Sequence, residues 1–305
     1  MLSILIPIFN FDVTNLVMEL HKQASEAGIE YEIILLDDAS HDSCREINSK
    51  LTNLEHVRYF EETDNIGRSK IRNKLAGLAV FPYLLFMDCD SEIPKNNYLT
   101  DYLNLCKNDA IVYGGRAYSD KPPVDSGLLL RWKHGKSREE FTVSERIKAP
   151  NKSFMTNNFL ISFKLFEKIR FNEDMEGYGH EDTLFGYDLK KNNITVEHID
   201  NPLIHIGLES NHLFLNKTKE SIRNLKNIFH QNGYEKLLVE DIKLLAYYKF
   251  LKQTGLNFLV RWLFRVTKKM LEKNLVGKRP NLTIFDLYKL GYLCSLTVES
   301  AALRQ

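Results

Sequence analysis

Little in this chain speaks for a disulfide-stapled or membrane-spanning protein. Its 305 residues hold four cysteines, Cys44, Cys89, Cys106 and Cys294. Their spacing fits neither a zinc site nor a disulfide framework, so reduced thiols in a cytosol are expected. An excess of one charge is also missing. The 41 Lys and Arg against 40 Asp and Glu leave a net charge of +1, which excludes the overall basic signature of a nucleic-acid binder. No uncharged run approaches the ~20 apolar residues that span a bilayer. The opening Met1-Leu2-Ser3-Ile4-Leu5-Ile6-Pro7 lacks a basic stretch and a small-residue cleavage site, so it reads as a strand rather than a secretory leader. A soluble or peripheral protein is expected. With 44% hydrophobic residues, the chain can fill one large core, or one core with a helical appendage.

What is present is an alternation of strands and helices. Leu2 to Ile8 is an apolar run closed by Asn10, and Val13 to Ala27 carries a helical period that Gly28 ends. Tyr31 to Leu36 is a second strand, closed by Asp37-Asp38. Ser43 to Leu51 reads as a helix, Val57 to Phe60 as a strand, Ser69 to Val80 as a helix and Tyr83 to Met87 as a strand. This order predicts an α/β fold with a mostly parallel, Rossmann-like sheet covered on both faces. From Arg116 to Asn157 the sequence is irregular and reads as a long functional loop region. Apolar strands resume at Phe159–Ile161, followed by a short helix at Leu165–Ile169. A further apolar run, Pro202 to Ile206, contains His205.

Composition changes near residue 235. Strand signals stop, and Lys243, Lys249, Lys252, Arg261, Arg265, Lys268, Lys269 and Lys273 interleave with Leu, Phe, Tyr and Trp262. Glu272 is the only acidic residue in that span. The expected organisation is a domain over 1–235 and a basic helical region over 236–305. That region is either packed on the domain or on a second subunit, or laid on a membrane surface.

The strand Phe86-Met87 delivers Asp88-Cys89-Asp90. In an extended strand these two carboxylates share a face, and a shared hard cation, Mg2+ or Mn2+, would relieve their repulsion. Such an ion at a strand end commonly holds phosphate, which points to an enzyme acting on a phosphorylated donor. Cys89 is expected to turn the other way, into the core. In open α/β sheets ligands bind beyond the carboxyl ends of the strands, where Asn10, Asp37, Asp38, Asp88 and Asp90 all fall. Asp37 follows four apolar residues and needs a partner, such as a base N–H. Ser40 and Asp42 can instead cap the next helix. Asn65-Ile66-Gly67 precedes a helix start rich in Arg and Lys, a setting that favours phosphate but equally suits a solvated turn. Glu181-Asp182 opens a helix after Gly177 and Gly179. Acidic residues there complement the helix dipole, and one could serve as a general base. His205 is either a satisfied core residue or a third metal ligand beside Asp90, with His212 a weaker candidate.

Taken in order, these pieces resemble glycosyltransferase family 2, the inverting enzymes with the GT-A fold. The matching segments are Ser3 to Asn10, Asp37 to Asp42, Asn65-Ile66-Gly67 with Arg72-Asn73, Asp88-Cys89-Asp90 and Gly179-His180-Glu181-Asp182. The last also looks like a piece shared by galactosyl- and N-acetylgalactosaminyltransferases. The resemblance implies that Asp37 or Asp38 binds the nucleotide base, that Pro7 and Asn10 line the nucleotide pocket, and that Arg72 lies near the donor diphosphate. It implies Asp88 and Asp90 as the metal-binding pair, with Asp90 the direct ligand and His205 a histidine ligand. Asp182 would be the catalytic base, with Glu181 positioning acceptor or donor sugar. Ala39 stands where the family commonly has glycine, a mild departure. The implied partners are a nucleotide-sugar donor, with UDP favoured, and a glycan or lipid-linked glycan acceptor. A cytoplasmic location, at or away from the membrane face, follows, and homo-oligomers stay open. Two rival readings are a sugar nucleotidyltransferase, which should carry a Gly-rich basic segment that Asn10-Phe11-Asp12 does not supply, and a non-catalytic binding module.

Overall fold

The computed structural model describes residues 1–106, 110–174, 177–230, 239 and 241–296. These divide into two compact units. The first comprises residues 1–121, 135–176 and 181–207; the second comprises 122–134, 177–180 and 208–305. The boundary expected near residue 235 lies outside the described residues.

Among the described residues the first unit carries ten strands: β1 Leu2–Ile8, β2 Tyr31–Asp37, β3 Val57–Glu61, β4 Tyr83–Met87, β5 Ser91–Glu92, β6 Ile111–Tyr113, β7 Arg116–Ala117, β8 Asn158–Ser162, β9 Glu197–His198 and β10 Leu203–His205. Its helices are α1 Thr14–Ala27, α2 Asp42–Ser49, α3 Arg68–Leu78, α4 Tyr98–Leu103, α6 Val143–Arg146, α7 Phe163–Ile169 and α8 Glu181–Lys191, and the division between units falls within α5 Leu129–Arg138. Seven strands form one sheet in the order β3-β2-β1-β4-β8-β6-β9. Only β8 runs against the rest, being antiparallel to both β4 and β6. The expected mostly parallel sheet with flanking helices is therefore present.

The strand pleat explains why both faces are covered. Leu2, Ile4, Ile6 and Ile8 of β1 pack with Leu16, Val17 and Leu20 of α1. Leu5 points the other way and joins Leu84 and Phe86 of β4 with Ile71 and Leu75 of α3. Residues of alternating parity feed opposite cores, which is the period of two at work. Cys89 packs against the first of these cores, as expected, and burial pushes its thiol well above the usual range. All four cysteines are unpaired.

A second, three-stranded sheet, β5-β10-β7, was not legible in the sequence. Nor was α5, inside the stretch read as loop. Gly135 argues for a break, yet it sits within the helix because the ring of Tyr118 lies 2.1 Å from where a Cβ would be. Glycine serves there for close approach rather than as a breaker.

The second unit is helical: α9 Asn211–His230, α10 Lys243–Gln253, α11 Asn257–Leu275 and α12 Leu282–Ser295. The expected C-terminal helices are present. No described helix is long and apolar enough to cross a membrane.

The turn after β2 carries a local cost. Ala39 adopts φ 62°, a left-handed conformation that costs an L-residue roughly 1–2 kcal/mol and that glycine tolerates freely. Its neighbours still form the turn, since Ser40 N–H donates to Asp37 Oδ1 at 2.7 Å. Ala39→Gly should therefore stabilise the fold by about 0.5–1 kcal/mol, the relief of strain being partly offset by the freer unfolded chain. Urea unfolding measures this, and an unmoved midpoint would mean that the turn carries no strain.

Candidate active site

Pro7, Asn10, Asp37, Asp38, Asn65, Gly67, Arg72, Asp88, Asp90, Glu181, Asp182 and His205 belong to the first unit, whereas His212, the weaker metal candidate, lies on α9 in the second. Pro7 lies near the end of β1 opposite Leu36. Asn10, at φ 52°, clips the β1 and β2 loops together: its N–H donates to Ser40 Oγ at 2.7 Å, and its Oδ1 accepts from His41 N–H at 2.8 Å. The two adjacent aspartates have different duties. Asp38 spends both oxygens on the following loop, accepting from Ile66 N–H at 2.7 Å and Gly67 N–H at 3.2 Å. Burial raises its pKa, and those two N–H groups oppose the rise. Asn65 Nδ2 donates to Asp38 O at 3.1 Å, completing the clamp. Asp37 is fully buried, with Oδ1 on Ser40 N–H, while its Oδ2 has no hydrogen-bond partner. A buried carboxylate oxygen left without a donor is costly, and Asp37 is the one of the pair able to take a ligand N–H. Gly67, at φ 85°, turns the chain into α3.

β4 ends at Met87, so the strand alternation does not extend to Asp88 and Asp90. They lie in the turn beyond it and take different partners. Asp88 Oδ1 accepts from Arg72 Nη2 at 2.7 Å, and Arg72 is 3% exposed. Arg72, expected near a donor diphosphate, is thus spent on Asp88. Asp90 immediately precedes β5 of the small sheet. β10 pairs with β5, setting His205 opposite Ser91, and with β7, setting Leu203 opposite Arg116. Three segments remote in sequence thereby bring Asp90, His205 and Arg116 together. Asp90 Oδ1 is buried without a hydrogen bond and lies 3.3 Å from His205 Nδ1. Arg116 Nη2 lies 2.7 Å from the same Nδ1. Gly207 is required beside this group, because a Cβ there would stand 2.6 Å from the Asp90 side chain. Burial alone would raise the Asp90 pKa, but His205, Arg116 and Arg68 outweigh it and hold the carboxyl below its usual range.

α8 supplies the third group of acids. The bend expected before it is present, with Gly177 at φ 78° and Gly179 at φ 94°. Glu181 is buried and accepts from Arg68 Nη1 at 2.8 Å. Burial opposes its ionisation, yet Arg68 and Arg72 overcome this and lower its pKa. Asp182 has no such ion pair among the described residues; its Oδ1 accepts from Thr183 N–H at 2.8 Å. Burial and the adjacent Glu181 charge push its pKa up to about 7, against the pull of Thr183 N–H, Arg68 and Arg72. Arg68 is within electrostatic reach of both Asp90 and Asp182.

Arg68 and Arg116 were not singled out from the sequence. Arg68 had a signal: four residues before Arg72 on one helix, it shares that residue's face. Arg116 had none, because a two-residue strand places it.

Among the described residues no group of three or more His, Cys, Asp and Glu gathers closely enough to hold an ion. A hard divalent ion in a phosphate site, however, takes one or two protein donors and fills the rest with phosphate and water. Asp90, with its unsatisfied oxygen, and His205 Nδ1 beside it fit that role. Asp88 is turned to Arg72.

The comparisons with known proteins agree with this architecture. The family model described as "Glycosyl transferase family 2" matches residues 3–170, more than half of the chain. The chain belongs to glycosyl transferase family 2. It is 25% identical over 191 residues to a hyaluronan synthase of Pasteurella multocida, a match covering 52% of this chain and 19% of that protein. The chain thus spans about a fifth of that relative's length. Among solved structures it resembles S. aureus TarS 1–349, with TM-score 0.51 and 18% identity over 94% of this chain and 89% of that one. It also resembles the mannosyltransferase PcManGT from Pyrobaculum calidifontis, with TM-score 0.55 and 10% identity over 96% and 85%. At these identities the structures establish the GT-A fold. The family establishes a glycosyltransferase.

Arg116 now supplies the cation that His205 and Asp90 face. Arg116→Met should therefore tighten Mn2+ binding by roughly three-fold or more, since a unit charge nearby opposes a second one. Titration calorimetry with UDP present measures this, and weaker binding would mean that Arg116 assists the ion.

Proposed function

We propose that this glycosyltransferase is a metal-dependent, inverting enzyme. It moves a hexosyl or N-acetylhexosaminyl group from a nucleotide-sugar, with UDP favoured, to a glycan or lipid-linked glycan acceptor. The observation that carries the proposal is Asp182, a carboxylate with no ion pair among the described residues, with a pKa pushed up to about 7, within electrostatic reach of the same arginine as Asp90. General bases work best with a pKa near the working pH. Related folds support the donor class: structures of TarS 1–349 hold UDP and UDP-GlcNAc, and that of PcManGT holds GDP-Man and Mn2+.

In this reading Asp37 Oδ2 accepts the base N–H, and Pro7, Asn10, Asn65 and Gly67 shape the nucleotide pocket. Asp38 holds the loop that carries Asn65 and Gly67, and Arg72 fixes Asp88. Asp90 and His205 would hold Mn2+ or Mg2+, which when bound offsets the charge growing on the departing diphosphate. Asp182 takes the proton from the acceptor hydroxyl while that oxygen attacks the anomeric carbon from the side opposite the leaving group. One displacement with one base inverts the configuration, as in inverting glycosidases. Glu181, locked by Arg68, orients a sugar hydroxyl and keeps Asp182 basic through its own charge. The catalytic machinery then falls within residues 1–235, with 236–305 as a helical appendage.

Asp182→Asn should lower kcat by about 10²–10⁴ while leaving UDP affinity within two- to three-fold; turnover near the native value would remove Asp182 from the role. In a UDP-sugar assay, kcat/KM should fall as pH drops through about 7, where Asp182 takes up its proton. The same shift acts on stability with a definite sign. The folded carboxyl holds a proton that the unfolded one releases, so this contribution is present below about pH 4 and is lost as pH rises to about 7. Asp37→Asn should weaken UDP binding at least ten-fold by calorimetry. Release of UDP with inverted product supports transfer, whereas pyrophosphate release would mark a nucleotidyltransferase.

A further inference from the structure

Helix α11 buries one face and leaves an ordered apolar face in water. Phe264 and Leu275 are buried. On the other side Phe258, Trp262, Val266 and Met270 recur every fourth residue and are 70%, 60%, 66% and 65% exposed. Leu259 and Leu263 widen the stripe at 48% and 52%. Residues four apart stack on one helix face, so these side chains form a continuous ridge about three turns long. Monomeric proteins seldom leave such a ridge to solvent without a use.

A second row runs beside the first. Arg261, Arg265, Lys269 and Lys273 also recur every fourth residue, each three positions after a ridge residue, and all four are exposed. The whole span 243–279 holds ten Lys and Arg and one acid, Glu272. Glu272 does not offset the row, because it is engaged by the Tyr288 hydroxyl at 2.7 Å and Lys219 Nζ at 3.4 Å. Tyr247 and Phe250 of α10 add exposed aromatic rings at 61% and 57%.

We infer that α11 is an interfacial helix that lies flat on an anionic lipid surface, with the Phe258–Met270 ridge in the acyl boundary and the Arg261–Lys273 row on the headgroups. An apolar ridge alone would suit a second copy or another protein. The unbroken basic row selects a partner that is apolar below and negative above, which is the composition of an acidic bilayer face. Long basic side chains reach the headgroups while their stems follow the ridge inward. With no described helix able to cross a bilayer, the contact is one of lying on the surface. This deepens the proposed function by placing a lipid-linked acceptor where the enzyme sits, yet it stands or falls separately, since donor binding needs no vesicle.

The test is flotation of the full chain with phosphatidylcholine vesicles and with vesicles containing phosphatidylglycerol. In parallel, Trp262 fluorescence is read in a Trp132→Phe background, which leaves a single tryptophan of the two. Binding to anionic vesicles at least ten-fold tighter than to neutral ones is expected, weakening as salt rises, with a blue shift of Trp262. Trp262→Glu with Met270→Glu should abolish flotation, and Arg261→Glu with Arg265→Glu should reduce it at least ten-fold. Both double variants should keep the native circular dichroism and UDP affinity. No vesicle binding by a chain that binds UDP would overturn the inference. So would a dimer in solution that Trp262→Glu converts to monomer, because the ridge would then lie between copies.

Discussion

Carboxylates gathered at one protein rim can remain ionised only if the scaffold supplies cations beside them. That constraint organises the site. Arg72 holds Asp88, Arg68 holds Glu181, and Arg116 stands against His205 next to Asp90. Arg68 and Arg72 come from successive turns of α3, whose start is set by Gly67 and by the Asp38 clamp on Ile66 and Gly67. Asp38, held by two N–H groups, and Asp182 have no guanidinium partner among the described residues, and burial raises the pKa of both, that of Asp182 to about 7. The same rule therefore explains both the charged acids and the one poised to accept a proton.

The small sheet is the second organising device. Its strands contribute two or three residues each, too few to be stable alone. Anchored to the larger fold, they align Asp90, Arg116 and His205 from three remote segments. A metal and a diphosphate meeting Asp90 and His205 would enter a place where a protein cation already stands. That cation suits the place to the negative charge of a diphosphate before any ion arrives.

Much of this was legible in the sequence, for reasons tied to particular residues. The strands β1, β2 and β4 are continuous apolar runs closed by polar residues, and such runs announce themselves. The order of Asn10, Asp37-Asp38, Asn65-Ile66-Gly67, Asp88-Cys89-Asp90 and Glu181-Asp182 carried the family resemblance; the family match over residues 3–170 agrees on the family and ends before Glu181-Asp182. The division of labour between Asp37 and Asp38 was not legible, because it depends on which backbone N–H groups the next loop presents. Strand alternation suggested a common face for Asp88 and Asp90, but the strand stops at Met87. Helix α5 was hidden by Gly135, whose presence answers to Tyr118 rather than to a turn. Arg116 was invisible, since pairing across sheets leaves no periodic trace. Ala39 illustrates the reverse case. It stands where the family commonly has glycine, and its left-handed backbone shows what that departure costs.

The most direct measurement is a carbon-13 carboxyl titration of Asp182 and Glu181 by nuclear magnetic resonance in the native chain. Asp182 is predicted to titrate near pH 7, with Glu181 below the ordinary carboxylate range. An Asp182 that titrates near 4, or a Glu181 that titrates above it, would contradict the account.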